Sequence, residues 1–335
     1  MVPTIEYRCL GPSGLRVSTV GLGCNNFGRP KTATESQAGT DAVVSAAIDA
    51  GITLFDTADI YGGTRGLSET LMGNALRGRR NEIVLATKFG MDMEGSNGPD
   101  WGARGSRRYI RIAIEASLRR LQTDWIDLYQ LHRPDPLTPI EETLAALDDL
   151  IQEGKVRYIG HSNFAGWQIA DAEYLARLGA HPRFVSAQNE YSLLARGVEA
   201  EVLPAVRRYE LGFLPFFPLF NGLFTGKYTR SGGPADARLT VIRPEALQRV
   251  DWDRIAVRYP ERAYYPRTRT VLLDNPLTHT REETGWLFRT RKPAAHLTVL
   301  NQLETVISPI PPFVTGNAGL VRPALHYPGT GNRYS

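Results

Sequence analysis

Apolar runs of five to seven residues alternate with segments of helical period from residue 19 to about residue 217. Short apolar runs rich in Val, Ile, Leu and Phe are typical of strands that are buried on both faces of a parallel sheet. Seven successive strand–helix steps therefore predict an α/β fold, the closed parallel (β/α)8 TIM barrel. The predicted strands are Val20–Cys24, Thr53–Thr57, Ile83–Lys88, Ile126–His132, Val156–Ser162, Phe184–Asn189 and Gly212–Phe217.

Helix signals lie between these runs and agree with them. Ser106 precedes the predicted helix Arg107–Leu121 and has a side chain typical of an N-cap. Thr138 is predicted to cap the next helix, with Pro139 in its first turn, and Gly154 is predicted to end that helix. The local and global patterns thus indicate the same barrel.

The segment before residue 19 has a different pattern. Ile5–Leu10 and Leu15–Ser18 are strand-like, and they flank the turn residues Gly11-Pro12-Ser13-Gly14. This arrangement predicts a β-hairpin. We expect the hairpin to close the bottom of the barrel, the end at which the strands begin.

An open doubly wound sheet is the alternative to the barrel, because it also alternates strands and helices. Such a sheet requires a phosphate turn with G-x-G-x-x-G spacing directly after its first strand. The segment Gly21–Gly28 contains glycines without that spacing. The barrel is therefore the favoured interpretation.

Length and charge fit one large domain. The chain has 335 residues, 42% of them hydrophobic, and α/β barrels of this size commonly form a single domain. The net charge of +4 comes entirely from residues 251–335, because residues 1–250 hold 28 basic and 28 acidic side chains. Since the folded part has no basic excess, we expect no nucleic-acid partner.

The chain shows neither a targeting pattern nor a metal-binding one. No basic segment followed by an apolar one lies near the N-terminus, and no apolar run is long enough to cross a bilayer, so we expect a cytoplasmic protein with no membrane partner. Cys9 and Cys24 are too few for a disulfide framework or a cysteine-based metal site. His132, His161 and His181 lie on separate predicted elements, so no metal is expected.

Four polar residues follow the predicted strands. Asp56, Lys88 and His132 each close a β-rich run, and Tyr61 lies just beyond one, so all four are expected where parallel strands end. A phenol with a pKa of about 10 is a weak acid near neutrality, but a buried ammonium beside it would stabilise the phenolate. The set predicts hydride transfer to a carbonyl, with Tyr61 as general acid, Lys88 and Asp56 as its tuning pair, and His132 as a donor to the carbonyl oxygen.

Three longer motifs identify the family that the chain resembles. They are Gly154–Phe164 (GKVRYIGHSNF), Gln188–Leu194 (QNEYSLL) and Gly222–Tyr228 (GLFTGKY). With the four polar residues in the same order, the chain resembles aldo-keto reductases, of the bacterial group related to the potassium-channel β subunits, from about residue 7 to 239. The resemblance implies a (β/α)8 barrel and an NADP-dependent oxidoreductase that reduces aldehydes or ketones of small molecules to alcohols.

The resemblance also implies a cofactor site for NADP(H), with NAD(H) left open. Ser162, Asn163 and Gln188 match positions that hold the nicotinamide carboxamide, and Phe217 matches the aromatic ring that stacks on the nicotinamide. The other matched positions are Pro218, Leu219 and Gly222 in the pyrophosphate loop, Lys227 and Arg238 at the phosphates, and Cys24 and Asn25 beside the nicotinamide, with Asp56 counted among the cofactor residues as well.

A second class of function stays open, a cofactor-sensing regulatory or binding module with weak or no turnover, as in the channel β subunits. Retention of all four polar residues favours the enzyme, because a binding module has no need of an acid and its tuning pair. Neither the physiological substrate nor the oligomeric state follows from the sequence. Phe27, Phe89 and Trp101 indicate only that part of the substrate pocket is apolar.

The resemblance ends after about residue 252. We find no counterpart there of the positions with which the family binds the 2′-phosphate of NADP. Thr280–Arg291 could be a helix and Glu304–Ile310 a strand. Either a divergent tail still closes the barrel, or the reading frame changed near Asp253–Pro260, and the second account is slightly favoured. We expect a barrel over residues 1–250 and an atypical Arg/Pro-rich segment over 251–335, which could be disordered and leave the barrel incomplete.

Overall fold

The computed structural model describes residues 5–225, 227–235, 237, 239–240, 244–248, 250, 252 and 305–306. Eight of its strands form a closed barrel, and the first two form a separate hairpin. The prediction of a (β/α)8 TIM barrel with an N-terminal β-hairpin is confirmed, and each predicted barrel strand is found within two residues of its predicted bounds. The strands are β1 (Tyr7–Cys9), β2 (Arg16–Ser18), β3 (Val20–Gly23), β4 (Leu54–Asp56), β5 (Val84–Phe89), β6 (Ile126–Leu131), β7 (Val156–Ser162), β8 (Ser186–Glu190), β9 (Gly212–Phe216) and β10 (Thr305–Val306).

Helices connect the parallel strands β3 to β9. Each longer helix buries one apolar side, which in α3 is formed by Ile110, Ala113 and Ile114. Within the described part of the chain, no helix has the length and apolar character needed to span a membrane. The helices are α1 (Gln37–Asp49), α2 (Leu67–Ala75), α3 (Arg107–Leu121), α4 (Ile140–Gln152), α5 (Gly166–Leu178), α6 (Val202–Tyr209) and α7 (Pro244–Gln248), with 3-10 turns at Arg80–Glu82, Gly197–Glu199 and Leu223–Thr225.

Two of the predicted helix ends are confirmed. Ser106 is the N-cap of α3, and its Oγ accepts a hydrogen bond of 3.3 Å from the backbone N–H of Tyr109. After α4, Gly154 has a φ of +74°, a conformation that glycine adopts without steric cost. The chain therefore turns away from the helix where the sequence indicated.

The predicted N-cap of α4 is wrong. The helix begins at Ile140 with Pro139 as its N-cap, and that proline has no side-chain acceptor. Thr138 Oγ1 instead donates to Asp135 Oδ2 at 2.7 Å. The same carboxylate oxygen accepts the N–H of Gly105 at 2.6 Å. A charged acceptor in the preceding loop thus takes the hydroxyl away from the helix terminus.

The hairpin closes the bottom of the barrel, as predicted. Strands β1 and β2 pair antiparallel, from Tyr7 opposite Ser18 to Cys9 opposite Arg16. Apolar side chains from the hairpin and its turn pack against side chains of β4, β5, β6 and β9. This floor cluster consists of Leu10, Leu15, Val17, Leu54, Ala86, Leu128, Val185 and Leu214.

The closure of the barrel is atypical, as expected. Strand β10 lies within the predicted strand Glu304–Ile310 and pairs antiparallel with both β3 and β9. Strands β3 to β9 are all parallel, so β10 runs against the direction of an eighth strand reached by a helical crossover. The predicted helix Thr280–Arg291 and the segment Asp253–Pro260 lie outside the described residues. The domain boundary near residue 250 stays a prediction.

Candidate active site

A layer of polar side chains lies above the apolar floor, inside the barrel. Inward-facing residues of a strand are two positions apart, so the polar residues come two positions after the floor residues on the same strands. Strand β4 supplies Leu54 to the floor and Asp56 to the polar layer, and β5 supplies Ala86 and then Lys88. Lys88 is in register with Gln130 of β6, and both side chains have 0% exposure. Burial of charged groups is costly unless they are paired. The partners of each charged side chain in this layer therefore indicate its role.

Lys88 joins two of the predicted catalytic residues. Its Nζ donates to Asp56 Oδ2 at 2.6 Å, to the Thr57 carbonyl at 2.8 Å and to the Tyr61 hydroxyl at 3.4 Å. Burial acts to lower the pKa of Lys88, but Asp56 and then Tyr61 act to raise it, and the net result is a pKa above the usual value. Lys88 is therefore an ammonium that contacts a carboxylate on one side and a phenol on the other.

His132 stands on the other side of Tyr61. Its backbone N–H donates to the Phe89 carbonyl at 2.8 Å, and its ring lies edge-on to the Tyr61 ring with centroids 5.8 Å apart. Burial, together with the charges of Lys88 and Arg133, holds the pKa of His132 well below its usual value. The imidazole is thus neutral near pH 7 and carries one N–H that can serve as a donor.

A buried polar network braces the loop that carries Tyr61. Asn97 Nδ2 donates to Asp59 Oδ2 at 3.3 Å, and Arg120 donates to Asn97 Oδ1 at 2.8 Å and to Glu69 Oε2 at 2.7 Å. Burial, and then the nearby Glu69 charge, raises the pKa of Asp59 well above its usual value. The network holds the segment two residues before Tyr61, and the sequence patterns indicated none of its members.

The three residues predicted to hold a carboxamide lie next to the catalytic four. Gln188 Nε2 donates to Asp56 Oδ1 at 3.2 Å. Asn163 Nδ2 donates to Ser162 Oγ and to the His132 carbonyl, both at 3.0 Å, and the Asn163 N–H donates to the Gln188 carbonyl at 2.9 Å. Asn163 has a φ of +61°, so its backbone is held in the left-handed region. The structure thus brings all three together at the C-terminal ends of β7 and β8.

The loop after β9 is strained at three positions. Phe217, Phe220 and Asn221 have φ values of +53°, +46° and +55°. Each such conformation costs a residue with a side chain about 1–2 kcal/mol and persists only where the surroundings impose it. Strain of this kind concentrates at binding sites, and here it includes Phe217, the predicted stacking residue.

The other residues predicted for the cofactor loop follow directly. Pro218 is buried, and the Leu219 carbonyl accepts the N–H of Gly222 at 3.0 Å. A Cβ on Gly222 would lie 3.5 Å from Cε of Lys227, so the lysine side chain lies against this glycine. Arg238 is outside the described residues.

Cys24 and Asn25 follow β3 on the same rim. The Cys24 N–H donates to the Asp56 carbonyl at 2.8 Å, and its own carbonyl accepts from Ser68 Oγ at 2.8 Å. Cys24 Sγ contacts the Leu22 carbonyl at 3.4 Å. The buried Asn25 Oδ1 has no hydrogen-bond partner among the described residues.

Of the three aromatic residues expected at the substrate pocket, two are buried in the core and one is exposed to solvent. Phe27 and Phe89 have no exposed surface, and Phe89 stacks on Tyr129 with ring centroids 4.6 Å apart. They belong to the hydrophobic core, so the expectation that they line the pocket is wrong. Trp101 is 74% exposed, with the Arg108 guanidinium 4.0 Å from its ring centroid.

The histidines on separate predicted elements have different surroundings in the fold. His161 is buried between Phe164 and Phe184, and His181 Nδ1 lies 3.4 Å from Asp148 Oδ2. Among the described residues, no three His, Cys, Asp or Glu side chains are grouped so that they could hold a metal ion. That the protein needs no metal stays a prediction.

Gln130 is a site residue that the sequence reasoning missed. Its Nε2 donates to Asp56 Oδ1 at 3.0 Å, and it is fully buried in the polar layer. The available signal was its position two residues before His132, which directly follows β6, because residues two apart in an extended segment point to the same side. Its polar side chain follows the apolar Leu128 of the barrel floor on the same face of the strand.

A sequence model of the aldo/keto reductase family matches residues 19–267. The chain belongs to the aldo/keto reductase family. Family membership, together with relatives named as oxidoreductases, makes this chain an oxidoreductase.

Three curated aldo/keto reductase relatives illustrate the match. The chain is 42% identical over 255 residues to the uncharacterized oxidoreductase YrpG of Bacillus subtilis (strain 168), which covers 73% of this chain and 76% of the relative. It is 39% identical over 232 residues to the probable aldo-keto reductase 1 of Glycine max, covering 69% and 64%. It is 37% identical over 242 residues to the probable voltage-gated potassium channel subunit beta of Oryza sativa subsp. japonica, covering 71% of each.

Proposed function

We propose that this aldo/keto reductase uses NAD(P)H to reduce aldehydes or ketones of small molecules to alcohols, with Tyr61 as the general acid. The observation that carries the proposal is the contact of the Lys88 ammonium with the Tyr61 hydroxyl, 3.4 Å, while Asp56 holds the same ammonium at 2.6 Å. An Asp–Lys pair with only a structural role would not need a phenol in contact with the lysine ammonium. In this arrangement the ammonium lowers the pKa of the neighbouring phenol, which suits a general acid.

The chemistry assigned to each side chain follows from its surroundings. A bound reduced nicotinamide would supply the hydride. Tyr61 would give its phenolic proton to the carbonyl oxygen, and Lys88 would stabilise the phenolate that results. His132, neutral because burial and Lys88 lower its pKa, would donate its N–H to the carbonyl oxygen and align it. Asp56 would keep the ammonium aimed at the phenol.

The residues present fit a nicotinamide nucleotide. The buried Asn25 Oδ1, on the rim after β3, has no hydrogen-bond partner among the described residues, and an acceptor of this kind suits a ligand with N–H donors. Ser162, Asn163 and Gln188 would hold the carboxamide. The strained backbone from Phe217 to Asn221 fits a loop shaped by a ligand.

The remaining cofactor contacts are assigned from the matched sequence positions. The Phe217 ring would stack on the nicotinamide. Backbone groups of Pro218, Leu219 and Gly222 would border the pyrophosphate, and Lys227 and Arg238 would meet its phosphates. Cys24 would border the nicotinamide beside Asn25. We assign NADP(H) as the cofactor, with NAD(H) also possible, and a cytoplasmic location stays a prediction.

The test is reduction of a panel of aldehydes and ketones by NADPH, followed as loss of reduced-cofactor fluorescence, in the parent and in Tyr61→Phe. The variant removes the proton donor and keeps the ring, so turnover should fall by about 10²–10⁴-fold while cofactor affinity stays within a factor of about two. Tyr7→Phe, at an exposed hairpin tyrosine, is the control. Equal turnover in parent and Tyr61→Phe would remove Tyr61 from this role.

A cofactor-sensing module with little turnover is the second candidate, because one relative is named as a probable potassium channel subunit beta. Such a module would bind the nucleotide and show no aldehyde-dependent oxidation of it. The Asp56–Lys88–Tyr61 contacts favour the enzyme, since a binding module gains nothing from a tuned acid.

A further inference from the structure

Asp56 accepts hydrogen bonds on both of its carboxylate oxygens. Oδ2 accepts from the Lys88 ammonium at 2.6 Å, while Oδ1 accepts from Gln130 Nε2 at 3.0 Å and from Gln188 Nε2 at 3.2 Å. Lys88 therefore meets a carboxylate whose other oxygen is already occupied by two amide donors. Of these two amides, only Gln188 has a proposed part in cofactor binding, which leaves Gln130 without an assigned task.

A glycine lies next to Gln130 on the neighbouring strand of the barrel. Lys88, Gln130, Gly160 and Ser186 follow one another in register across β5, β6, β7 and β8. A Cβ built on Gly160 would lie 2.4 Å from Ser186 Oγ and 3.2 Å from Gln130 Cγ. Glycine at position 160 thus leaves space for Ser186 first and for the Gln130 side chain as well.

We propose that Gln130 is a positioning residue, whose amide holds Asp56 and offsets its negative charge so that the Lys88 ammonium acts on Tyr61. The inference rests on the proposed function of Tyr61 as general acid. Without the Gln130 donor, Oδ1 would keep only the hydrogen bond from Gln188, and the carboxylate would exert a stronger negative potential on the ammonium and the phenol. The ammonium would then be drawn toward Asp56, and it would stabilise the phenolate less.

The groups around Tyr61 decide the sign of the effect. Lys88 from β5 favours the phenolate, Asp56 from β4 disfavours it, and His132 after β6 is neutral because its pKa lies well below the usual value. Removal of an amide donor from Asp56 therefore makes the phenolate less stable. The phenol should lose its proton at a higher pH.

The experiment is a titration of the cofactor-free full chain, in which phenolate absorbance is followed against pH. Subtraction of the same titration in Tyr61→Phe isolates Tyr61 from the other tyrosines. Gln130→Met keeps the length of the side chain and removes the donor, so the Tyr61 midpoint should rise by about one pH unit. The alkaline limb of the pH–rate profile should move by the same amount, with kcat near pH 7 lower by about threefold to tenfold and KM unchanged.

Ser186→Ala is the matched control, because Ser186 is buried in the same register row and has no hydrogen bond to Asp56 among the described residues. It should leave both the midpoint and the profile in place. Gln130→Asn is the second variant for the case that methionine disturbs folding, since it keeps an amide in the barrel but withdraws it from Asp56 by one methylene. It should shift the midpoint in the same direction.

An unmoved midpoint in a folded Gln130 variant, or an equal shift in Ser186→Ala, would overturn the inference and make Gln130 part of the barrel packing only. Failure of the proposed function gives a different result. If Tyr61→Phe retains full turnover, Tyr61 is not the acid, whatever the titration shows. If Tyr61→Phe loses turnover and the midpoint does not move with Gln130, only the inference on Gln130 fails.

Discussion

Lys88 and Asp56 lie on neighbouring strands of the barrel and form an ion pair 2.6 Å long, in which the lysine has no exposed surface. Both charges have left water, so each depends on the other and on the hydrogen bonds around it. Since the ammonium also reaches the Tyr61 hydroxyl, the pair links the barrel interior to the proposed acid.

Replacement of Lys88 by methionine should remove the cation that stabilises the phenolate. An opposite charge at this distance lowers the pKa of an acid by about 1–3 units, so the upper pKa of the pH–rate profile should rise by a similar amount. The rate near pH 7 should fall by about 10²-fold. The measurement is kcat/KM for one aldehyde across pH.

Lys155→Met is the control for Lys88→Met, because Lys155 pairs with Glu115 and Glu153 on the outside of the barrel. It should leave the profile unchanged. A Lys88→Met enzyme with reduced activity and an unmoved upper pKa would show that Lys88 is structural.

Phe217→Ala should weaken binding of nicotinamide nucleotides by about 0.5–1.5 kcal/mol beyond the loss of buried area, because the stacking face is removed. Fluorescence titration with NADPH measures the change in Kd. Phe220→Ala is the comparison, since Phe220 lies in the same strained loop and its ring faces Phe224, with centroids 6.4 Å apart. Equal losses in both variants would assign the effect to the loop and not to stacking by Phe217.

NADPH and NADH should bind with affinities that differ by less than about tenfold, which is about 1.4 kcal/mol. Lys227 and Arg238 are matched to phosphates that both nucleotides share, and the sequence after residue 252 lacks the family's positions for the 2′-phosphate. Calorimetric Kd values for the two cofactors test this expectation. A preference for NADPH above about a hundredfold would reveal a 2′-phosphate site in the tail and rule out a changed reading frame.

Ser106→Ala should lower the free energy of unfolding by about 1 kcal/mol, because α3 loses the acceptor for the N–H of Tyr109. Ser106→Asp keeps an acceptor at the N-cap and should retain most of the stability. Urea midpoints of the three proteins provide the measurement. If aspartate and alanine destabilise equally, the contribution of Ser106 comes from another contact.

His161 should make the protein less stable in acid. Burial lowers the pKa of His161 to about 3 from its usual 6.5, so between these values the unfolded chain binds a proton that the folded chain does not. Stability from this residue is therefore complete above about pH 6.5 and is lost as pH falls toward 3, with a slope of up to about 1.4 kcal/mol per pH unit.

His161→Phe should flatten that slope, because phenylalanine does not titrate and its ring can occupy the space between Phe164 and Phe184. Urea unfolding at several pH values between 4 and 7 measures the difference between parent and variant. A difference that does not vary with pH would show that His161 is not the residue responsible.

Local patterns along the chain were sufficient to predict the barrel and the position of its strands. Val156–Ser162 and Arg107–Leu121 have the same bounds in prediction and structure, because apolar period and an N-cap are properties of a segment alone. Asp56, Lys88 and His132 could be placed at one end of the barrel, since the ends of parallel strands share an edge. Their catalytic roles stay predictions until the variants are measured.

Other features depend on contacts between segments that are distant in the chain. Gln130 donates to Asp56 because the register of β4, β5 and β6 brings the two side chains together. Thr138 donates to a loop carboxylate, that of Asp135, and does not cap its helix. Phe27, which follows β3, and Phe89, which ends β5, are both buried in the core although their strands end at the rim. Strand β10 runs antiparallel, which no local pattern indicates. Spacing along a chain carries helical and strand period, but register, strand direction and competition for hydrogen bonds are settled only when distant segments pack together.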